Sequence, residues 1–163
     1  MPPRREPPPI IPNGLRPLSL AEMRALCVDN FQGSESRMRI MAGLEEFVRL
    51  LEGLGLSGEL WVDGSFLTQK FQPGDADVVF RPRIEFADSQ TPEQKAFLDR
   101  LADFSDDELI CECHAHLWYE YPESDTRHRL NAHLRPYWLN AFGRNRVRNE
   151  PKGIAVVAVG GGL

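Results

Sequence analysis

One stretch of the chain, LWVDGSFLTQKFQPGDADVVF at residues 60–80, constrains the fold more than any other. It starts within an apolar, β-prone segment at 59–63 that is followed by Gly64-Ser65, and after a proline-glycine break it continues as a second segment of this kind at 75–80. Short β-prone runs bounded by glycine and proline are typical of strands. The stretch therefore predicts two neighbouring strands that are joined by a short turn or helical segment.

Two aspartates separated by one residue open the second strand. Side chains alternate along a strand, so Asp75 and Asp77 are expected on one face, about 7 Å apart. Carboxylates that face one point repel each other unless a cation lies between them, and Mg²⁺ usually binds through one or two carboxylates plus phosphate oxygens. Glycine and serine at positions 64 and 65 allow a phosphate to approach the backbone and the hydroxyl closely. The stretch thus predicts a site for a divalent cation and a phosphate.

Helical and strand patterns alternate along the rest of the chain. Ser19 followed by Glu22 is a capping box, and Thr91-Pro92 is a typical helix start. The predicted helices cover residues 19–31, 34–53, 91–102 and 125–142, the last one interrupted or begun at Pro136, and the predicted strands cover 59–63, 75–80, 109–121 and 153–159. This order indicates an α+β, or α/β-like, fold in which helices pack on a small mixed sheet.

Chain length and composition favour one domain. The 163 residues can bury an ordinary core, and we assign the domain to residues 18–159. Residues 1–17 are rich in proline and are expected to form an extended or disordered arm, and residues 160–163 a flexible glycine-rich tail. The sequence shows no apolar stretch long enough for a signal peptide or a membrane span, so we expect a soluble, cytoplasmic protein that does not bind membranes.

The chain resembles a known family over about residues 59–159. The shared features are LWVDGSFLTQK, the Pro-Gly before DADVVF, the strand leading to YEYP, and Trp138, Phe142-Gly143-Arg144 and PKGIAVV at 151–157. The chain resembles the nucleotidyltransferase superfamily of the DNA polymerase beta type, in its minimal form. The pattern that carries this resemblance is a hydrophobic strand followed by Gly-Ser, about ten residues and then D-x-D. The other features are similar to a group of small prokaryotic members of unknown function, DUF6932.

The resemblance implies a nucleotidyltransferase-like fold and the transfer of a nucleotidyl group from an NTP. Asp75 and Asp77 would be catalytic and would hold Mg²⁺ or Mn²⁺, while Gly64 and Ser65 would bind the triphosphate. The acceptor is a hydroxyl of a protein, an RNA or a small molecule. We add Lys70 to the expected nucleotide-binding residues.

The superfamily usually has a third carboxylate on a later strand, and this chain departs from that pattern. The candidate strand reads ICECHAHLWYEYP, and the aligned residue is His114. Alternation predicts Glu112, His114, His116, Trp118 and Glu120 on one face, and Cys111, Cys113, Ala115 and Leu117 on the other. Glu112 supplies the missing charge if the register differs by two. Otherwise an imidazole stands where a hard anionic ligand is expected, and general-base activation falls to histidine.

The segment 126–149 contains six arginines and no acidic residue. Arg127 and Arg129 are candidate nucleotide-binding residues, since arginine pairs with phosphate bidentately. The alternative is a solvated basic surface that offsets the acidic remainder of a chain whose net charge is −5.

The cysteines and histidines near position 113 also suggest a zinc site, because thiolate and imidazole are good zinc ligands. Alternation argues against that site, since the cysteines and the histidines of one strand point to opposite faces. The three cysteines contain no C-x-x-C pair and are expected to be reduced thiols.

Two functions follow from these features. The first is a magnesium-dependent nucleotidyltransferase. The second is a catalytically impaired relative that binds nucleotide, nucleic acid or a partner protein in a toxin–antitoxin, defence or mobile-element system.

Overall fold

The structure is a computed structural model that describes residues 6–103, 108–145 and 147–160. Its strands are β1 (Leu15–Pro17), β2 (Gly58–Asp63), β3 (Ala76–Pro82), β4 (Cys113–Leu117) and β5 (Ile154–Val159). Its α-helices are α1 (Leu20–Arg24), α2 (Glu35–Gly53), α3 (Pro92–Ala102), α4 (His128–Asn131) and α5 (Leu134–Phe142). Short helical segments of other types lie at Ala25–Asp29, Ser65–Leu67 and Ile84–Ala87.

The five strands form one open mixed sheet in the order β1-β5-β2-β3-β4. Strand β2 is antiparallel to both β3 and β5, whereas the outer pairs β1–β5 and β3–β4 are parallel. The predicted α+β class, with helices on a small mixed sheet, is confirmed. This order places β3, which follows the Asp75 position, between β2 and β4.

The helix starts follow the sequence signals. Ser19 with Glu22 and Thr91 with Gln94 both form complete capping boxes. The expected helix at 125–142 is two helices instead, and α5 begins just before Pro136. Proline is tolerated there because the N–H groups of a first helical turn have no partner within the helix. Strand β4 is shorter than expected, since positive φ angles at Cys111 and Glu112 make a turn directly before it.

Part of the expected N-terminal arm belongs to the fold. Strand β1 pairs in parallel with β5, and Ile11 is 2% exposed within the main core. The backbone of residues 8–10 also hydrogen-bonds to that of 67–69. The boundary expected at residue 17 therefore differs from the structure, because an apolar residue between the prolines, Ile11, is buried in the main core. Residues 1–5 of the expected arm and residues 161–163 of the expected tail lie outside the described residues.

The two faces of the sheet carry separate cores. The larger core joins one face to the first three helices, and includes Met23, Phe47, Leu98, Val62 and Val78. The smaller core joins the other face to α5 and consists of Trp61, Val79, Trp118, Trp138, Phe142 and Ile154. Within the described residues, no helix combines the length and apolarity that crossing a membrane requires.

Candidate functional site

A cavity of about 480 Å³ opens where β2 ends and where β3 and β4 begin, beside the smaller core. The sequence-predicted residues that line it are Gly64, Ser65, Lys70, Asp75, Asp77 and His114. Gly64 and His114, which are fifty residues apart in the chain, meet here because parallel β3 and β4 begin at the edge where antiparallel β2 ends. The cavity therefore brings together the Gly-Ser turn and the aspartate pair.

Strand register sets a row of polar residues across this edge. Asp77 is paired with Asp63 on β2 and with His114 on β4. Paired residues on neighbouring strands point to the same face, so these side chains lie next to one another. The Nδ1 atom of His114 is 3.6 Å from Oδ1 of Asp77. An imidazole thus takes the place beside Asp77 where the resemblance implies a carboxylate.

Gly64 directly adjoins the Asp77 carboxylate. Its φ of +86° lies in the left-handed region, and a Cβ atom built there would be 2.8 Å from Oδ2 of Asp77. Only glycine adopts this conformation at low cost and leaves room for the carboxylate. The turn therefore both ends β2 and keeps Asp77 open to the cavity.

The charges at this edge suit a cation. The pKa of Asp75 is raised, first by burial and then by the negative charge of Asp77, with His114 and Lys70 acting in the opposite direction. The negative charge near Asp75 is stabilised when a cation binds beside it. Among the described residues, no three His, Cys, Asp or Glu side chains are gathered for a metal. A carboxylate pair that leaves other positions to phosphate oxygens and water matches the binding mode of Mg²⁺.

A buried arginine holds the loop after Gly64, and sequence reasoning missed it. Arg37 of α2 is 0% exposed, and its guanidinium lies 3.7 Å from the ring centroid of Phe31. It donates to the carbonyl oxygens of Cys27, Phe66, Thr68 and Lys70. The hydrophobic pattern of α2 places position 37 on the buried side, which is the one signal that could have revealed it.

A second residue pair at the cavity was also missed. Asp63, the last residue of β2, is 2% exposed, and its Oδ2 lies 2.9 Å from Nζ of Lys152. Burial raises the pKa of Asp63 to about 7, although Lys152 opposes this shift. Its Oδ1 finds no hydrogen-bond partner among the described residues. Alternation from Trp61 places Asp63 on the site face, but no local pattern identifies Lys152 as its partner.

Aromatic side chains form another wall of the cavity. The ring of His116 is 5.3 Å from that of Trp138 and 4.9 Å from that of His114, between centroids. The pKa of His116 is lowered by burial and by His114. Tyr137, which is 56% exposed, packs edge-on against Trp138. The expected alternation in β4 is confirmed, since His114 and His116 line the cavity whereas Cys113 joins the larger core.

Three predicted residues lie elsewhere. Glu112 sits in the turn before β4, and its carboxylate is 3.2 Å from Nε of Arg39 rather than at the cavity, so the alternative register does not occur. Arg127 forms ion pairs with Asp88 and Asp125. Arg129 is exposed and does not line the cavity. Glu112 is thus paired with an arginine, and Arg127 with two carboxylates, away from the cavity.

Comparison with known proteins gives one match. The model of a family described as a family of unknown function, DUF6932, matches residues 3–158. No curated protein and no solved structure matches the chain.

Proposed function

Because the chain belongs to DUF6932, a family of unknown function, we propose from the chemistry of its own residues that it is a magnesium-dependent nucleotidyltransferase-like protein. It transfers a nucleotidyl group from an NTP to a hydroxyl of a protein, an RNA or a small molecule. The observation that carries the proposal is the single cavity in which the Gly64-Ser65 turn meets Asp75 and Asp77.

Each group at the cavity has a role that matches its chemistry. Asp75 and Asp77 would hold a divalent cation, which would supply positive charge for the triphosphate. The Gly64-Ser65 turn binds phosphate oxygens, and Lys70 adds a positive charge at the same wall. Manganese serves in place of magnesium, since both prefer oxygen ligands.

The transfer itself is a displacement at the α-phosphorus. The acceptor oxygen forms a bond to the α-phosphorus. The bond between the α-phosphorus and the α,β-bridging oxygen breaks, and pyrophosphate leaves with that electron pair. The proton of the acceptor hydroxyl passes to His114, whose Nδ1 lies beside Asp77. Asp77 would thereby both help to hold the cation and orient the imidazole.

The test incubates the protein with each labelled NTP, Mg²⁺ or Mn²⁺, and acceptors of three kinds: the protein itself, RNA and small hydroxyl compounds. Label transfer is expected for the natural sequence and should disappear in Asp75→Asn/Asp77→Asn. The melting temperature of that variant shows whether it is folded. Transfer that survives in the folded double variant would remove these aspartates from the mechanism.

A second function is favoured by one observation, the imidazole of His114 beside Asp77 in place of a carboxylate. A weaker cation site of this kind suits a protein that binds nucleotide, nucleic acid or a partner protein without catalysis. Such a protein would bind an NTP in the same cavity but transfer no label to any acceptor. Binding without transfer in the experiment above would therefore select this alternative.

A further inference from the structure

Lys152 presents an ammonium group at the candidate site from the β5 side of β2, whereas His114 lies on the β4 side. It lies just before β5, lines the same cavity as Gly64 and Ser65, and has a side-chain exposure of 13%. Its backbone N–H donates to the carbonyl oxygen of Gly143, which fixes the main chain after α5. The backbone contact to Gly143 and the ion pair with Asp63 thus hold Lys152 at the cavity wall.

Asp63 fixes the direction of this ammonium group. The Nζ–Oδ2 distance of 2.9 Å is that of a charge-assisted hydrogen bond. Lysine has three N–H donors, so this bond leaves two of them for other acceptors. Asp63 in turn is fixed by its pairing with Asp77 in the sheet.

A purely structural ion pair does not account well for this arrangement. Taking two charges out of water costs free energy that is recovered only when both groups are fully hydrogen-bonded. Here Oδ1 of Asp63 is buried without a hydrogen-bond partner among the described residues, and Lys152 retains access to the cavity. The pair therefore resembles a preorganised binding group more than a packing element.

We propose that Lys152 binds the β- and γ-phosphate oxygens of the NTP, the part that leaves as pyrophosphate, and that Asp63 is the positioning residue that aims it. This inference rests on the proposed function, since it assigns one end of the same substrate. The compact charge of an ammonium suits phosphate oxygens. A fixed cation also offsets the negative charge that two carboxylates and a triphosphate bring into one cavity.

The test measures the dissociation constants of each NTP, of the matching nucleoside monophosphate and of inorganic tripolyphosphate, in the presence of Mg²⁺. The variant is Lys152→Met, and Lys95→Met serves as the control because Lys95 is an exposed lysine on α3 that pairs with Asp99. Lys152→Met leaves Asp63 buried without its cation, so Asp63→Asn/Lys152→Met is measured as well to preserve folding.

We expect Lys152→Met and the double variant to bind the NTP and tripolyphosphate about 10- to 100-fold more weakly, as loss of charged hydrogen bonds predicts. Affinity for the monophosphate should change less than about twofold, and Lys95→Met should bind as the natural sequence does. A folded double variant that binds the NTP with unchanged affinity overturns the role of Lys152 but leaves the proposed function standing. A natural sequence that binds no NTP overturns the proposed function, and this inference with it.

Discussion

Asp63 and Asp77 are directly paired across the antiparallel strands β2 and β3, yet they face different partners. Asp63 is buried against Lys152, whereas Asp77 opens to the cavity beside His114. The charge of Asp63 is therefore offset by Lys152, whereas the carboxylate of Asp77 is left for a ligand.

The neighbouring carboxylates of Asp75 and Asp77 should destabilise the folded protein when no metal is bound. We expect Asp75→Asn to leave the metal-free melting temperature unchanged or higher, because the pKa of Asp75 is raised by burial and by Asp77. The same variant should lose Mn²⁺ binding, which titration followed by electron paramagnetic resonance measures. Asp99→Asn, an exposed position on α3, is the control. Unchanged Mn²⁺ affinity in Asp75→Asn would contradict the assigned site.

Gly64→Ala should lower the free energy of unfolding and weaken Mn²⁺ binding. The left-handed φ costs a side chain about 1–2 kcal/mol, and the added Cβ would push the Asp77 carboxylate. Gly74→Ala is the matched control, since Gly74 also precedes β3 but has no atom within 4 Å of a built Cβ. Urea unfolding and Mn²⁺ titration should both separate the two variants. Equal behaviour would mean that the Gly64 turn relaxes freely.

Arg37→Met should destabilise the protein by at least about 3 kcal/mol, because several carbonyl oxygens lose a charged donor at once. Arg39→Met, on the same helix, removes an exposed arginine and should change stability by about 0.5 kcal/mol or less. Urea unfolding measures both. If Arg37→Met unfolds at the same urea concentration as Arg39→Met, the loop 66–70 does not depend on the buried guanidinium.

Stability should depend on pH through Asp63. Its pKa is about 7 in the folded protein, against about 3.9 for an unfolded aspartate. The folded state thus holds the proton more tightly. The contribution of protonated Asp63 to the free energy of unfolding is fully present below about pH 4 and is lost as pH rises through about 7. Free energies of unfolding measured between pH 4 and 8 should therefore fall more steeply for the natural sequence than for Asp63→Asn. Parallel curves would show that Asp63 is ionised throughout.

His114→Asp should strengthen the cation site. It places a carboxylate beside Asp77 in the strand register, and added ligand charge raises affinity for hard cations. We expect Mn²⁺ affinity to rise about tenfold, and metal-free stability to fall because like charges are brought together. Glu112→Gln is the control, since Glu112 pairs with Arg39 away from the cavity. A larger effect of Glu112→Gln would reverse the assignment of these two positions.

Local patterns were sufficient for most of the secondary structure and for part of the site. Capping residues, hydrophobic periodicity and glycine breaks located the long helices and the central strands, because these signals act within a few residues. Alternation correctly separated His114 and His116 from Cys113. Gly64, Ser65, Asp75 and Asp77 could be grouped in advance because only one short connection separates their two strands.

Contacts between distant segments were beyond local patterns. The register that aligns Asp63, Asp77 and His114 is fixed by how three strands pack, and the turn at Glu112 was needed to exclude the other register. Lys152 reaches Asp63 only because β5 pairs with β2. Burial decides which charged groups must find partners, and burial is a property of the packed sheet and helices rather than of neighbouring residues in the chain.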